Sequence, residues 1–175
     1  MWPRQRGFTL VEILVVVVII GLMMVGVTIA TGMAHGDREL ETERDRILAL
    51  ADHLRDQATL QAREYGLRCY EGGYQFLYYD PRNGVWLDQG DDLLRPRALP
   101  KGLVMRLSVE GRNVLLPAAE VDPEELAPQI LLYSSGELSL FELDLRRGRN
   151  GAGVRIAPAE GTDKIEVQKL PAADR

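Results

Sequence analysis

The sequence predicts an α+β fold in which a long N-terminal helix packs on antiparallel β-sheet, and three observations predict it. Residues Ile13 to Ala34 form an uncharged run of 22 residues, and Asp37 to Tyr65 carry apolar side chains at helical spacing. Beyond Gly66 the apolar period falls to about two. Strands that follow a helix, instead of alternating with helices, place the helix on one face of a sheet. The length of 175 residues fits one domain, since the roughly 110–140 residues outside the apolar run can bury a modest core.

The apolar run comes first. Twenty-two helical residues span about 33 Å at 1.5 Å each, enough for a hydrocarbon core of roughly 30 Å. Arg4 and Arg6 precede the run, whereas Asp37, Arg38, Glu39, Glu41 and Glu43 follow it. The positive-inside bias therefore leaves the N-terminus cytoplasmic and the bulk of the chain outside. One carboxylate interrupts the pattern: Glu12 sits just inside the apolar stretch that begins at Phe8. An ionisable group at membrane depth costs about 2.5–3.5 kcal/mol on insertion scales, so it needs a reason. A secretory signal peptide shares the basic start, and Gly32-Met33-Ala34 offers a small-x-small cleavage site. The length of the uncharged run and the presence of Glu12 argue against that reading.

The second element is an amphipathic stem. Leu40, Ile47, Ala51, Leu54, Ala58, Ala62 and Tyr65 recur at steps of three, four or seven and form one helical stripe. Gly66 follows the last of them, where a left-handed C-terminal cap is expected. Gly32 and Gly36 are weak points between the apolar and amphipathic halves.

Short β-branched and aromatic runs punctuated by Gly, Pro, Asn and Asp fill the rest of the chain. Residues 74–87 read as a hairpin around Asp80-Pro81-Arg82-Asn83-Gly84. Residues 103–116 repeat the pattern around Gly111, and 129–145 do so around Ser134-Ser135-Gly136. Val154–Ala157 and Lys164–Leu170 complete the sheet or sheets. Asp91–Pro100 and Pro117–Pro128 read as loops, and Pro171–Arg175 as a loose tail.

Composition excludes several functions. A formal net charge of −5 and a pI near 5.1 give no overall attraction to nucleic acid or anionic lipid. Cys69 is the sole cysteine, so neither an intramolecular disulfide nor a thiolate metal cluster is expected. His35 and His53 lie roughly 27 Å apart along one helical path and cannot share a metal. Asp88, Asp91 and Asp92 lack EF-hand spacing and read as an acidic loop. Gly148, Gly151 and Gly153 do not form a dinucleotide fingerprint, and no phosphate-binding P-loop motif occurs. Trp86 and tyrosines 70, 74, 78, 79 and 133 fall on strand patterns, where packing is the ordinary role. No catalytic constellation, cofactor site or metal site is expected.

The opening stretch carries a family resemblance. "RGFTLVEILVVVVIIG" resembles the class III signal of type IV pilins and type II secretion pseudopilins: a short basic leader ending in Gly7, then Phe8, Thr9, Leu10 and, fifth in the mature chain, Glu12. The resemblance implies a pilin-like fold and a prepilin peptidase that cuts between Gly7 and Phe8 and methylates the new Phe8 amine. Glu12 then has a reason. It lies about one turn from a cationic amine, its own or a neighbour's, and can neutralise it during assembly. The expected organisation is a leader at 1–7, a transmembrane helical segment at 8–36, a stem helix at 37–66 and a β-rich periplasmic head at 67–175. With no proline in the apolar helix, any kink is expected at Gly21, Gly26 or Gly32.

The head resembles the H-type minor pseudopilins of type II secretion. The carrying residues are Arg63-Glu64-Tyr65-Gly66, the Tyr79…Gly84-Val85-Trp86 hairpin and "QILLYSSGELSLFEL". The resemblance implies an inner-membrane subunit extracted into the tip of a periplasmic pseudopilus, with I-, J- and K-type minor pseudopilins and the major pseudopilin as partners. It implies no small-molecule substrate. FimT-like minor type IV pilins share the pattern, and in that alternative Arg146, Arg147, Arg149 and Arg155 form a candidate DNA-binding patch. Charge argues against it: cleavage removes Arg4 and Arg6, leaving 19 basic against 26 acidic residues, a net −7.

Overall fold

The computed structural model describes residues 10–88, 90–117, 119, 126–159, 162 and 164–173, with side chains 22–37 outside the description. The chain divides into two compact units, residues 1–38 and 39–175. Helix α1, Leu10–Gln61, supplies the described part of the first unit and the stem of the second.

In the first unit, residues 10–21 are exposed on every face, from Leu10 at 83 % to Val16 at 44 %. A helix that is apolar all round takes apolar surroundings, lipid or other helices. Among the described residues no helix is long and apolar enough to cross a membrane. The side chains of 22–37, most of the second half of the expected span, lie outside the description.

In the second unit the stem buries Leu40, Ile47, Leu50, Ala51, Leu54 and Ala58: five positions of the expected stripe with Leu50 added, while Ala62 is exposed and Tyr65 is buried in a strand instead. The helix ends earlier than the sequence predicts, at Gln61. Ala62 takes a left-handed φ of 49°, and the Arg63 amide donates to the Ala58 carbonyl at 3.1 Å, the six-to-one bond of a Schellman cap. Gly66 is not the cap. It lies within strand β1 (Tyr65–Tyr70), where an added Cβ would sit 2.4 Å from Pro128 Cβ and Cγ. Close backbone approach, not a positive φ, accounts for this glycine.

Two antiparallel sheets follow. The first has the order β3-β2-β1-β7, with β2 at Gly73–Asp80, β3 at Val85–Leu87 and β7 at Ile130–Leu132; the two-residue β4, Arg97–Ala98, adds to β2. The second has the order β10-β9-β8-β5-β6, built from β5 Leu103–Val109, β6 Arg112–Val114, β8 Phe141–Arg147, β9 Gly153–Pro158 and β10 Ile165–Leu170. The expected turns at 80–84 and 110–111 are present. Gly84 donates to the Asp80 carbonyl at 2.8 Å, and Glu110 and Gly111 both take positive φ, as a two-residue hairpin turn requires.

The third expected hairpin is not one. Its turn exists, with Gly136 donating to the Tyr133 carbonyl at 2.9 Å, and pairing runs through Leu132↔Leu138 to Ser139. There the ladder stops. β7 pairs with β1 in the first sheet, while β8 lies between β5 and β9 in the second. Seven registered pairs with β5 and four with β9 outweigh continuation of a short local ribbon. Strand β1 was not singled out by the sequence pattern, because it is buried on both faces and shows no alternation. Both sheets and the stem share one core, in which Ile47, Leu54, Phe76, Leu107, Ile130, Leu143 and Ile156 meet.

Candidate functional site

Glu12 lies in the first turn of α1, where a carboxylate complements the partial positive charge of the helix N-terminus. Its neighbours Leu10, Val11, Ile13 and Leu14 are all more than half exposed. This places one carboxylate in an otherwise apolar helical surface. Gly7 and Phe8, the expected cleavage and methylation residues, lie outside the described residues.

The stem holds a second carboxylate that the sequence reading passed over. Glu43 falls between Leu40 and Ile47 on the apolar stripe and is only 1 % exposed. Tyr74 Oη donates to its Oε1 at 2.5 Å, and Arg97 approaches with Nε 3.3 Å from Oε1 and Nη2 3.2 Å from Oε2. Helix, β2 and β4 are joined at one buried carboxylate. Burial first, and then the bond to Glu43, raise the Tyr74 pKa well above its ordinary value, so the phenol stays protonated as the donor. The signal was available: a carboxylate on an apolar stripe is the same anomaly that drew attention to Glu12.

A second charged array covers the outer face of the second sheet. Strand register places Arg106 beside Asp144 and Asp144 beside Arg155 in one row across β5, β8 and β9. Arg155 Nε and Nη2 bind the two Asp144 oxygens at 2.7 and 3.1 Å, while its Nη1 lies 2.9 Å from Glu142 Oε2. Hydrogen bonding to Asp144 raises the Arg155 pKa further above an already high value. The four arginines of the DNA-binding alternative are not one free patch. Arg155 is held by two carboxylates, Arg146 donates to the carbonyls of Gly151 and Pro171, and Arg147 follows Arg146 on the opposite face of β8.

The remaining candidates take ordinary places. Asp88 accepts from Gln75 and from the Gly90 amide, and Asp91 accepts from the Leu93 amide. His53 is exposed, and the His35 side chain lies outside the description. Among the described residues no three His, Cys, Asp or Glu side chains gather as a metal site. Cys69 is fully buried, and desolvation pushes its thiol up to about 12, which makes it a packing residue at neutral pH.

Comparisons with known proteins bear on both units. The prokaryotic N-terminal methylation motif matches residues 2–28. Type II secretion system protein H of Pseudomonas aeruginosa is 38 % identical over 176 residues, covering 98 % of each chain. Type II secretion system protein H of Aeromonas hydrophila is 34 % identical over 148 residues, 81 % of each. The fold is similar to the minor pseudopilin EpsH of Vibrio cholerae (TM-score 0.57, 21 % identity, 78 % of this chain and 96 % of that one). It is also similar to GspH of E. coli (TM-score 0.52, 14 % identity, 71 % and 84 %). The fold is pilin-like, and the N-terminal methylation motif precedes it. Stem, sheets and registered strands all fit that class. The chain belongs to the type II secretion system protein H family, the H-type minor pseudopilins.

Proposed function

We propose that the chain is cut by a prepilin peptidase between Gly7 and Phe8, methylated at Phe8, and carried from the inner membrane into the tip region of a periplasmic pseudopilus. The observation that carries the reading is 38 % identity to a type II secretion protein H over 98 % of both chains. The methylation motif over residues 2–28 supports processing and membrane anchoring. The exposed apolar helix supports a site among lipids first and among neighbouring helices afterwards. Division at 1–7, 8–36, 37–66 and 67–175 belongs to the same proposal, as do partnership with I-, J- and K-type minor pseudopilins and the major pseudopilin, and the absence of catalysis.

In this mechanism Glu12 pairs with the Phe8 amine left by cleavage, so that a helix leaving the bilayer carries no unmatched charge. The head does mechanical work: its stem is fixed to both sheets by the apolar core and by Glu43. Mass spectrometry of the mature N-terminus tests the reading. Methylated Phe8 is expected, and Gly7→Val is expected to leave a membrane-bound chain about 0.9 kDa heavier, the mass of seven residues. A mature chain starting after Ala34 overturns it.

A further inference from the structure

We propose that the outer face of the second sheet receives an acidic polypeptide segment from a neighbouring pseudopilus subunit, a proposal that rests on the assembly reading above. An open trough of about 1020 Å³ crosses this face, lined among others by Arg106, Asn113, Glu142, Arg146 and Arg149. Its cations are set in place before any partner arrives. Arg106 Nη2 donates to the Arg149 carbonyl at 2.8 Å, and Arg146 Nη1 donates to the carbonyls of Gly151 and Pro171 at 3.2 and 3.1 Å. The Arg149 carbonyl fixes the Arg106 guanidinium without neutralising it and leaves other N–H groups available, which lowers the ordering cost of binding a carboxylate, whereas Arg146 is largely buried with its Nε 3.7 Å from Asp144 Oδ2.

The acidic groups of the trough are differently engaged. Asp144 is buried and bound twice by Arg155, and Glu142 faces the same guanidinium. Arg106 and Arg149 are exposed and have no carboxylate within ion-pair distance among the described residues. Among the described residues the lining sets four arginines against three carboxylates, and with Arg146 and Arg155 paired to Asp144 and Glu142 the cations left to a partner are Arg106 and Arg149. Planar guanidiniums held in a fixed fork suit carboxylates.

Protein fits this face better than nucleic acid. No aromatic side chain lines the trough among the described residues, so bases have nothing to stack on. An acidic protein segment needs only two carboxylates, one for Arg106 and one for Arg149.

The test uses the full chain in membranes of cells that carry its secretion machinery, with the exposed Asn113 replaced by p-benzoylphenylalanine. After irradiation, mass spectrometry is expected to find the crosslink in an Asp- and Glu-rich stretch of another pseudopilin. Arg106→Gln with Arg149→Gln is expected to lower its yield about tenfold at equal subunit abundance. Arg106→Lys with Arg149→Lys should restore most of it, which separates lost charge from lost folding. A crosslink to nucleic acid, a crosslink to a stretch without carboxylates, no crosslink, or an undiminished yield in the Gln variant overturns the proposal. Where any of these occurs in a chain still methylated at Phe8, the assembly reading stands and only the role of the trough falls.

Discussion

The Tyr74 hydroxyl donates to Glu43 Oε1 at 2.5 Å across 31 residues of sequence, in a site where both side chains are 1 % exposed. Arg97 closes the other side of the carboxylate from a strand of two residues. Removing Glu43 orphans the Tyr74 hydroxyl, and removing that hydroxyl leaves Glu43 Oε1 with only the 3.3 Å contact to Arg97 Nε. Tyr74→Phe is expected to destabilise the head by about 1–3 kcal/mol, the cost of an unsatisfied buried polar group. Glu43→Leu combined with Tyr74→Phe should be less destabilising than the two single changes added together, because the pair then leaves together. Urea unfolding of a chain beginning near Asp37 measures both, and strict additivity would show that the contact is incidental.

Alkaline pH should reveal the same burial. The Cys69 thiol is raised from an ordinary 9.0 to about 12 by desolvation, and the Tyr74 phenol is raised above 10.0 by burial and by Glu43. Both shifts favour the neutral form in the folded state. Their stabilisation is complete below the unfolded pKa values and is lost as pH rises from about 9 through the folded values. Stability is expected to be level from pH 7 to about 8.5 and to decline above it, with a shallower decline in Cys69→Ala. In the native protein at pH 8, a thiol reagent should modify Cys69 only as fast as the fold opens.

Two substitutions at the end of the stem should have opposite signs. Ala62 occupies a left-handed conformation at φ 49°, which Gly adopts without strain, so Ala62→Gly is expected to stabilise the head by about 0.5–1 kcal/mol. Gly66→Ala would place a methyl 2.4 Å from the Pro128 ring and should cost about 1–3 kcal/mol through forced repacking. Thermal unfolding distinguishes this from the sequence reading, in which Gly66 is the cap and Ala62 part of the helix.

Glu12→Leu should still be inserted and processed, because removing a carboxylate makes the helix more apolar. If Glu12 serves the Phe8 amine, the variant loses registered docking, since an unpaired buried charge typically costs about 3–5 kcal/mol. Crosslinking to other subunits in membranes, at equal abundance with the unaltered chain, reads this directly. Undiminished crosslinking would leave Glu12 without an assembly role.

Much of the molecule is written in local pattern. The apolar run, the stripe from Leu40 to Ala58, and the turns at Asp80–Gly84 and Gly111 are set by residues within a few positions of one another, so the sequence alone determines them. Glu12 was legible for the same reason, since a single charge in an apolar helix stands out against its neighbours.

Only the tertiary structure decided what depends on distant pairing. Residues 129–145 read as one ribbon, yet β7 and β8 enter different sheets: β7 pairs with β1, and β5 and β9 offer β8 a longer pairing than the local ribbon does. Gly66 owes its identity to Pro128, and Glu43 owes its tolerance in the core to Arg97, 54 residues away. Arg155 looked like a free cation until register placed Asp144 beside it. A side chain's charge is local information; whether that charge is available, buried or neutralised depends on which strand the fold lays next to it.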